Sequence, residues 1–116
     1  MEGYDLEAIK EKVIHHLKHV YDPEIPVNIY DLGLIYKIDF EVRGHYLFCF
    51  VTMTLTSPGC PVADALLSEV KYVSLAVDEV DEASVELTFE PPWDQTMVSQ
   101  EGHDILVASG MVIPSY

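Results

Sequence analysis

Apolar residues fall at Leu6, Ile9, Val13, Leu17 and Val20, steps of three and four that predict a helix from Asp5 to about Tyr21 with one buried stripe. Asp5, just ahead of the stripe, suits the N-cap. The next stretch, DPEIPVNIYDLG, holds two prolines and ends in Gly33, which reads as a rigid, partly turned loop. From Leu34 the period changes to two. Leu34, Tyr36, Ile38, Phe40 and Val42 alternate with Ile35, Lys37, Asp39 and Glu41, the pattern of a strand with one wet face.

Arg43-Gly44 predicts a two-residue hairpin loop, with a second strand from His45 to Thr56. That loop pairs Val42 with His45, Phe40 with Leu47, Ile38 with Cys49 and Tyr36 with Val51, and directly paired residues share a face. Leu47, Cys49, Val51, Met53 and Leu55 then join the even residues of the first strand on an apolar core side. The opposite side collects Tyr46, Phe48, Phe50, Thr52, Thr54 and Thr56 beside Lys37, Asp39 and Glu41. So many aromatic side chains are unusual on a face that meets only water, and they mark it as a docking surface.

A second helix is predicted from Pro61 to about Val77, with Leu66, Leu67, Val70, Val73 and Val77 buried and Pro61 at the favoured first position. A third strand follows from Ala83 to Glu90, with Val85, Leu87 and Phe89 inward, and PPW ends it. A short helix from Ser99 to Ser109, closed by Gly110, is weakened by Gly102 in its interior. The order helix, hairpin, helix, strand, helix predicts an α+β fold: two or three helices packed on one face of a small three-stranded sheet. With 116 residues the chain suits a single domain spanning 1–116.

Charge narrows the function classes. The 20 acidic residues outnumber 6 basic ones, a formal net charge of −14, so the chain repels nucleic-acid phosphates and anionic lipid. Neither partner is expected. The opening MEGYDLEAIK lacks the apolar core of a signal peptide and no long apolar run occurs, which predicts a cytoplasmic protein. Only Cys49 and Cys60 are present, too few for a disulfide framework, and both are expected as free thiols.

The two cysteines have different surroundings. Cys49 alternates with Leu47 and Val51 on the core side and reads as a buried, inert thiol. Cys60 sits between Gly59 and Pro61, where a helix beginning at Pro61 makes it the N-cap. Free amides of the first turn and the helix dipole favour a thiolate there, whereas Asp64 and the acidic chain oppose it. A small capping residue and a reactive or metal-binding thiol both remain open. His15 and His19 stand one helical turn apart and could grip a metal, but they lie off the apolar stripe and read as solvated surface.

Three stretches, DPEIPVNIYDLGLIY, VTMTLTSPGCP and VELTFEPPW, occur in an order that resembles the SufT/PaaD-like iron-sulfur cluster assembly family, over roughly residues 6 to 98. The resemblance leaves the tail 99–116 uncovered. It implies an iron-sulfur assembly-type domain and a cytosolic role in maturing iron-sulfur proteins. Position by position, it places the family's cysteine on Cys60 followed by Pro61, its threonines on Thr54 and Thr56, its acidic sites on Asp22, Glu24 and Asp31, and its tryptophan on Trp93. PaaD-type members carry further cysteines towards the C-terminus. None follows Cys60 here, which favours a SufT-like factor.

A cluster is usually held by four thiolates, which one exposed cysteine cannot supply. Two Cys60 residues meeting across a homodimer, transient capture of a cluster or iron by one thiolate, and docking without ligation all remain, with a carrier or adaptor preferred. The implied partners are the assembly machinery and apo-client proteins. Asp22, Glu24 and Asp31 offer oxygen ligands for iron, although carboxylates beside prolines more often serve turns and caps. Two other classes compete. A thiol-dependent enzyme using Cys60 needs a base, and His45 lies far along the chain while His103 lies in the tail. A protein-interaction module without metal chemistry needs only the aromatic and threonine face. The apolar tail SGMVIPSY suits packing on its own domain or on a second copy.

Overall fold

Asp5 caps the first helix from the predicted position, its carboxylate accepting a hydrogen bond from the Ala8 amide at 3.2 Å. The computed structural model describes residues 5–21, 25–55, 63–108 and Gly110. Helix α1 spans Leu6–Leu17 and buries Ile9, Val13 and Leu17, while Leu6, in the first turn, stays 40% exposed instead of joining the stripe. The helix stops short of Tyr21 because its end tightens: the amides of His19 and Val20 bond back three residues, to His16 and Leu17. Val20 is buried nonetheless, and its carbonyl accepts the Ile29 amide at 2.8 Å, which folds the following loop back onto the core.

Strands β1 (Ile35–Arg43) and β2 (Tyr46–Met53) form the hairpin around Gly44-His45, one residue later than Arg43-Gly44. The observed pairs are Val42 with Leu47, Phe40 with Cys49 and Ile38 with Val51, two residues from the predicted register. A shift of two is a full side-chain period, so every face assignment in this part of the hairpin survives it. Leu47, Cys49, Val51 and Met53 are buried, and Tyr46 on the other side is 61% exposed. The ladder slips between Ile35, paired with Met53, and Lys37, paired with Thr52, which leaves Tyr36 as an extra residue on β1. Tyr36 is consequently only half-buried, and its hydroxyl donates to the Pro91 carbonyl at 2.7 Å.

Helix α2 (Ala63–Leu75) carries the chain across to β3 (Glu82–Leu87), which pairs parallel with β2. The sheet order is β1-β2-β3, a mixed sheet with β2 at its centre. Leu66 and Val70 of α2 are buried, and so is Ser74, whose hydroxyl escapes an unpaired state by donating to the Val70 carbonyl at 2.9 Å. Against α1, the His16 ring Nδ1 lies 2.9 Å from the Val73 carbonyl and Lys12 pairs with Glu79 at 2.5 Å. The predicted start of this helix at Pro61 lies outside the described residues.

Strand β3 ends three residues earlier than its alternation predicts. Thr88 still donates to the Met53 carbonyl, but the Glu90 amide then turns to the Thr88 hydroxyl, and Pro91 and Pro92 offer no amide to a ladder. Phe89, expected inside, is 37% exposed as a result. A 3₁₀ turn at Gln95–Met97 leads into α3 (Gln100–Ala108). Ser99 caps α3 by accepting the Gly102 amide at 3.0 Å. Gly102 does not weaken this helix by accident: a Cβ there would press on Val98 and Val27 side-chain carbons and on the Asp31 carbonyl at 3.0 to 3.1 Å, so glycine lets α3 lie against the loop. Among the described residues no helix is long and apolar enough to cross a membrane.

Gly33 closes the loop before β1 at φ +83°, and a Cβ on it would meet the Met97 backbone carbon at 2.8 Å. Gly33→Ala should therefore cost more than about 2 kcal/mol in urea unfolding, from strain and collision together. Gly44→Ala, with open space around it, should cost only about 1 kcal/mol. Equal losses at the two sites would show that the Met97 contact is not fixed.

Candidate functional site

The loop before β1 is built around Asp31, which is 6% exposed. Asn28 grips it twice: its side-chain oxygen accepts the Asp31 amide at 2.9 Å, and its Nδ2 donates to the carboxylate at 2.7 Å. The other carboxylate oxygen accepts the Ser99 hydroxyl at 2.8 Å, and the Asp31 carbonyl accepts the Ser99 amide at 2.7 Å. Both oxygens are thus engaged by donors of the protein itself. One residue on, the Leu32 carbonyl accepts the Trp93 indole N–H at 2.7 Å. Asp31 and Trp93, singled out by the family resemblance, therefore meet at one loop and fasten the C-terminal segment to it.

Thr54 departs from its predicted place on the open face. Met53 makes the last ladder pair on β2, so the alternation that carries Thr52 outward no longer governs the next residue, and Thr54 is fully buried. Its amide donates to the Leu34 carbonyl at 2.9 Å, yet among the described residues its hydroxyl oxygen meets no partner within hydrogen-bond geometry. The Tyr36 phenol is its neighbour, close enough for a weak, poorly aligned hydrogen bond. Partial burial holds that phenol above its ordinary pKa, the Thr54 hydroxyl pulls the other way, and the Asp94 carboxylate adds to the rise.

Beside Tyr36 opens a groove of about 800 Å³. Its floor is a row across all three strands, Lys37 paired with Thr52 and Thr52 with Glu86, on the face predicted to dock a partner. Tyr36, Pro91 and Met97 form a wall. The groove sits at the end of the sheet where β2 finishes and the chain runs on towards Cys60. Cys60 itself, with Asp22, Glu24, Thr56 and Pro61, lies outside the described residues.

Cys49 behaves as its alternation predicts. It is fully buried, and burial first, the Asp39 carboxylate second, push its thiol up to about 11. His15 is exposed on α1 and His19 in the turn that follows it, with the His19 ring Nδ1 3.0 Å from the His15 carbonyl. Among the described residues no group of three or more His, Cys, Asp or Glu side chains is arranged to hold a metal ion.

Sequence reasoning missed Asn28, Ser99, Tyr36 and Met97 as parts of this region. Two of them carried a signal: Asn28 stands three residues before Asp31, a spacing at which side-chain-to-backbone turns form, and Ser99 is the serine at which the predicted helix opens, the residue type and place of a cap. Tyr36 and Met97 carried none, because a bulge and a contact across 61 residues leave no local trace.

Residues 10–87 match the family described as iron-sulfur cluster assembly protein. A Porphyromonas gingivalis protein named Fe-S protein maturation auxiliary factor is 48% identical over 92 residues, which cover 79% of this chain and 85% of that one. The Staphylococcus aureus Fe-S protein maturation auxiliary factor SufT is 38% identical over 81 residues, 70% of this chain and 89% of that one. A crystal structure from Bacillus anthracis, described as a domain of unknown function DUF59, superposes with a TM-score of 0.76 at 36% identity, covering 91% of this chain and 95% of that one. The family match includes Asp31, Thr54 and Cys60 and stops before Trp93.

Two outcomes test this geometry. A double-mutant cycle on Asp31→Asn and Ser99→Ala should return a coupling of about 1–2 kcal/mol in urea unfolding, since one hydrogen bond to a buried carboxylate joins them. Additive losses would contradict the clasp. In a Cys60→Ser variant, which isolates Cys49, a thiol reagent at pH 8 should find no reactive group until the protein is unfolded. A pKa of about 11 leaves about one thiolate in a thousand at that pH.

Proposed function

The chain belongs to the iron-sulfur cluster assembly protein family, and on that premise we propose that it serves iron-sulfur protein maturation as a transient carrier or adaptor, with Cys60 offering one thiolate to a cluster or iron in transit. The observation that carries the reading is the burial of Cys49. The chain has two cysteines, and one of them is fully enclosed with its pKa at about 11, so a single chain presents at most one thiolate to cargo. Clusters are usually held by four thiolates. A protein with one available thiol is suited to hand cargo on, with outside thiols from a donor, a client or a second copy completing the shell.

Asp22, Glu24 and Thr56 take the lining of that site on the strength of the family motif, and Asp31 and Trp93 act one step away by anchoring the loop and the C-terminal segment. A thiol enzyme is the poorer reading. His45 occupies the hairpin end of β2, roughly 25 Å of extended strand from the end that leads to Cys60, and His103 is exposed on α3. The reducing cytoplasm, where a free thiolate survives, is the compartment the role requires.

Anaerobic purification, addition of iron and sulfide, and visible spectra of wild type and Cys60→Ser form the test, alongside a sizing column that separates one-chain from two-chain carriage. Wild type should gain absorbance and pass it to an apo-client, and Cys60→Ser should do neither. Equal behaviour of the two proteins, or no loading and no transfer in either, sinks the ligand role.

A further inference from the structure

The groove on the open face of the sheet has an uneven charge. All six Lys and Arg residues of the chain lie among the described ones, and four belong elsewhere: Lys10, Lys12 and Lys18 to α1 and its end, Lys71 to α2. The remaining two, on β1, are each matched by a carboxylate of their own strand. Lys37 pairs with Asp39 at 3.3 Å, and Arg43 pairs with Glu41 while its guanidinium lies over the Phe48 ring. Glu86 and Glu90, which line the groove on the side of β3, are exposed and form no ion pair among the described residues. Glu86 on the floor and Glu90 next to Pro91 thus leave the groove acidic, and Lys37, which also lines it, is already paired.

We propose that this groove docks an extended, cationic segment of a partner protein, with Lys or Arg side chains set against Glu86 and Glu90 and an apolar side chain lodged against Pro91 and Met97. A volume of about 800 Å³ accommodates several side chains. The net charge of −14 draws such a segment in from a distance, raising the rate of encounter more than the final affinity, and repels acidic competitors. The inference rests on the maturation role only for the kind of partner, a client or an assembly protein; the chemistry of the groove stands apart from Cys60.

The test uses the full chain, ¹⁵N-labelled, titrated with acetyl-Gly-Lys-Phe-Lys-Gly-amide and with the matching peptide in which both lysines are glutamates. The cationic peptide should move the amide signals of Lys37, Thr52 and Glu86, weaken its binding in added salt, and leave the far ends of α1 and α2 unchanged. The double substitution E86K/E90K, at exposed positions, should lower its affinity at least about tenfold, and K37E, on the same floor, should raise it. Cys60→Ser should bind it as wild type does, so that a failure of cluster loading and a failure of docking are told apart. No shift with the cationic peptide, equal shifts with the acidic one, shifts centred elsewhere, or indifference to both charge variants would each overturn the proposal.

Discussion

A buried carboxyl group must find hydrogen-bond partners, and the way Asp31 meets that demand organises the segment from Trp93 into α3. One of its oxygens is held by Asn28 within its own loop and the other by Ser99, 68 residues away. That second bond does more than satisfy a charge. It fixes the residue that caps α3 and, with the Trp93 indole on the Leu32 carbonyl, lays the segment from Trp93 to Ser99 along the loop. Gly33 then admits the Met97 backbone at a distance no Cβ would allow, and Gly102 lets α3 close on Val27, Asp31 and Val98 where a Cβ would crowd its neighbours. The wall of the groove, Pro91 to Met97, stands where it does because of these contacts; the sheet and its two helices alone supply only a floor.

The floor follows from β2. A central strand with strict alternation sorts its residues irrevocably: Cys49 goes into hydrocarbon and becomes chemically silent, while Phe48 and Phe50 stack on each other on the open side, ring centroids 6.4 Å apart. One face is thereby committed to stability and the other is free for a partner. The same sorting limits the chain's metal chemistry, since a cysteine on the core side of β2 cannot reach cargo whatever its sequence neighbours offer.

What the sequence made legible is what depends on short-range periodicity. The stripe of α1, the faces of the hairpin, the inward set of α2 and the cap at Asp5 all follow from spacing, and even the wrong hairpin loop left the faces right because the error was a whole period. The failures came where alternation stops. Thr54 lies one residue past the last pair of β2, and Phe89 lies past the last pair of β3, so extending the pattern put both on the wrong side. Tyr36 moved because one extra residue entered β1. The clasp from Asn28 through Asp31 to Ser99 was hidden for a different reason: it is a long-range satisfaction of polar groups, and composition carries no record of which donor a carboxylate will find. The family motif pointed at Asp31 and Trp93 without saying that their visible work is structural.

Charge ties the two functional readings together. A cluster surrounded by thiolates is itself anionic, because four ligand charges exceed that of the iron-sulfide core. A chain with a net charge of −14, whose described cations on the open face are already matched, places such cargo in an unfavourable field. Tight storage would call for compensating Lys or Arg or further thiolates, and among the described residues the open face has neither to spare. Under the proposed carrier role, brief residence on a single sulfur is what that field permits, and the same field favours the cationic segment proposed for the groove. Were both proposals to hold, the acidity that weakens the hold on cargo would strengthen the approach of the protein meant to receive it, and handover would need no separate device to release the cluster.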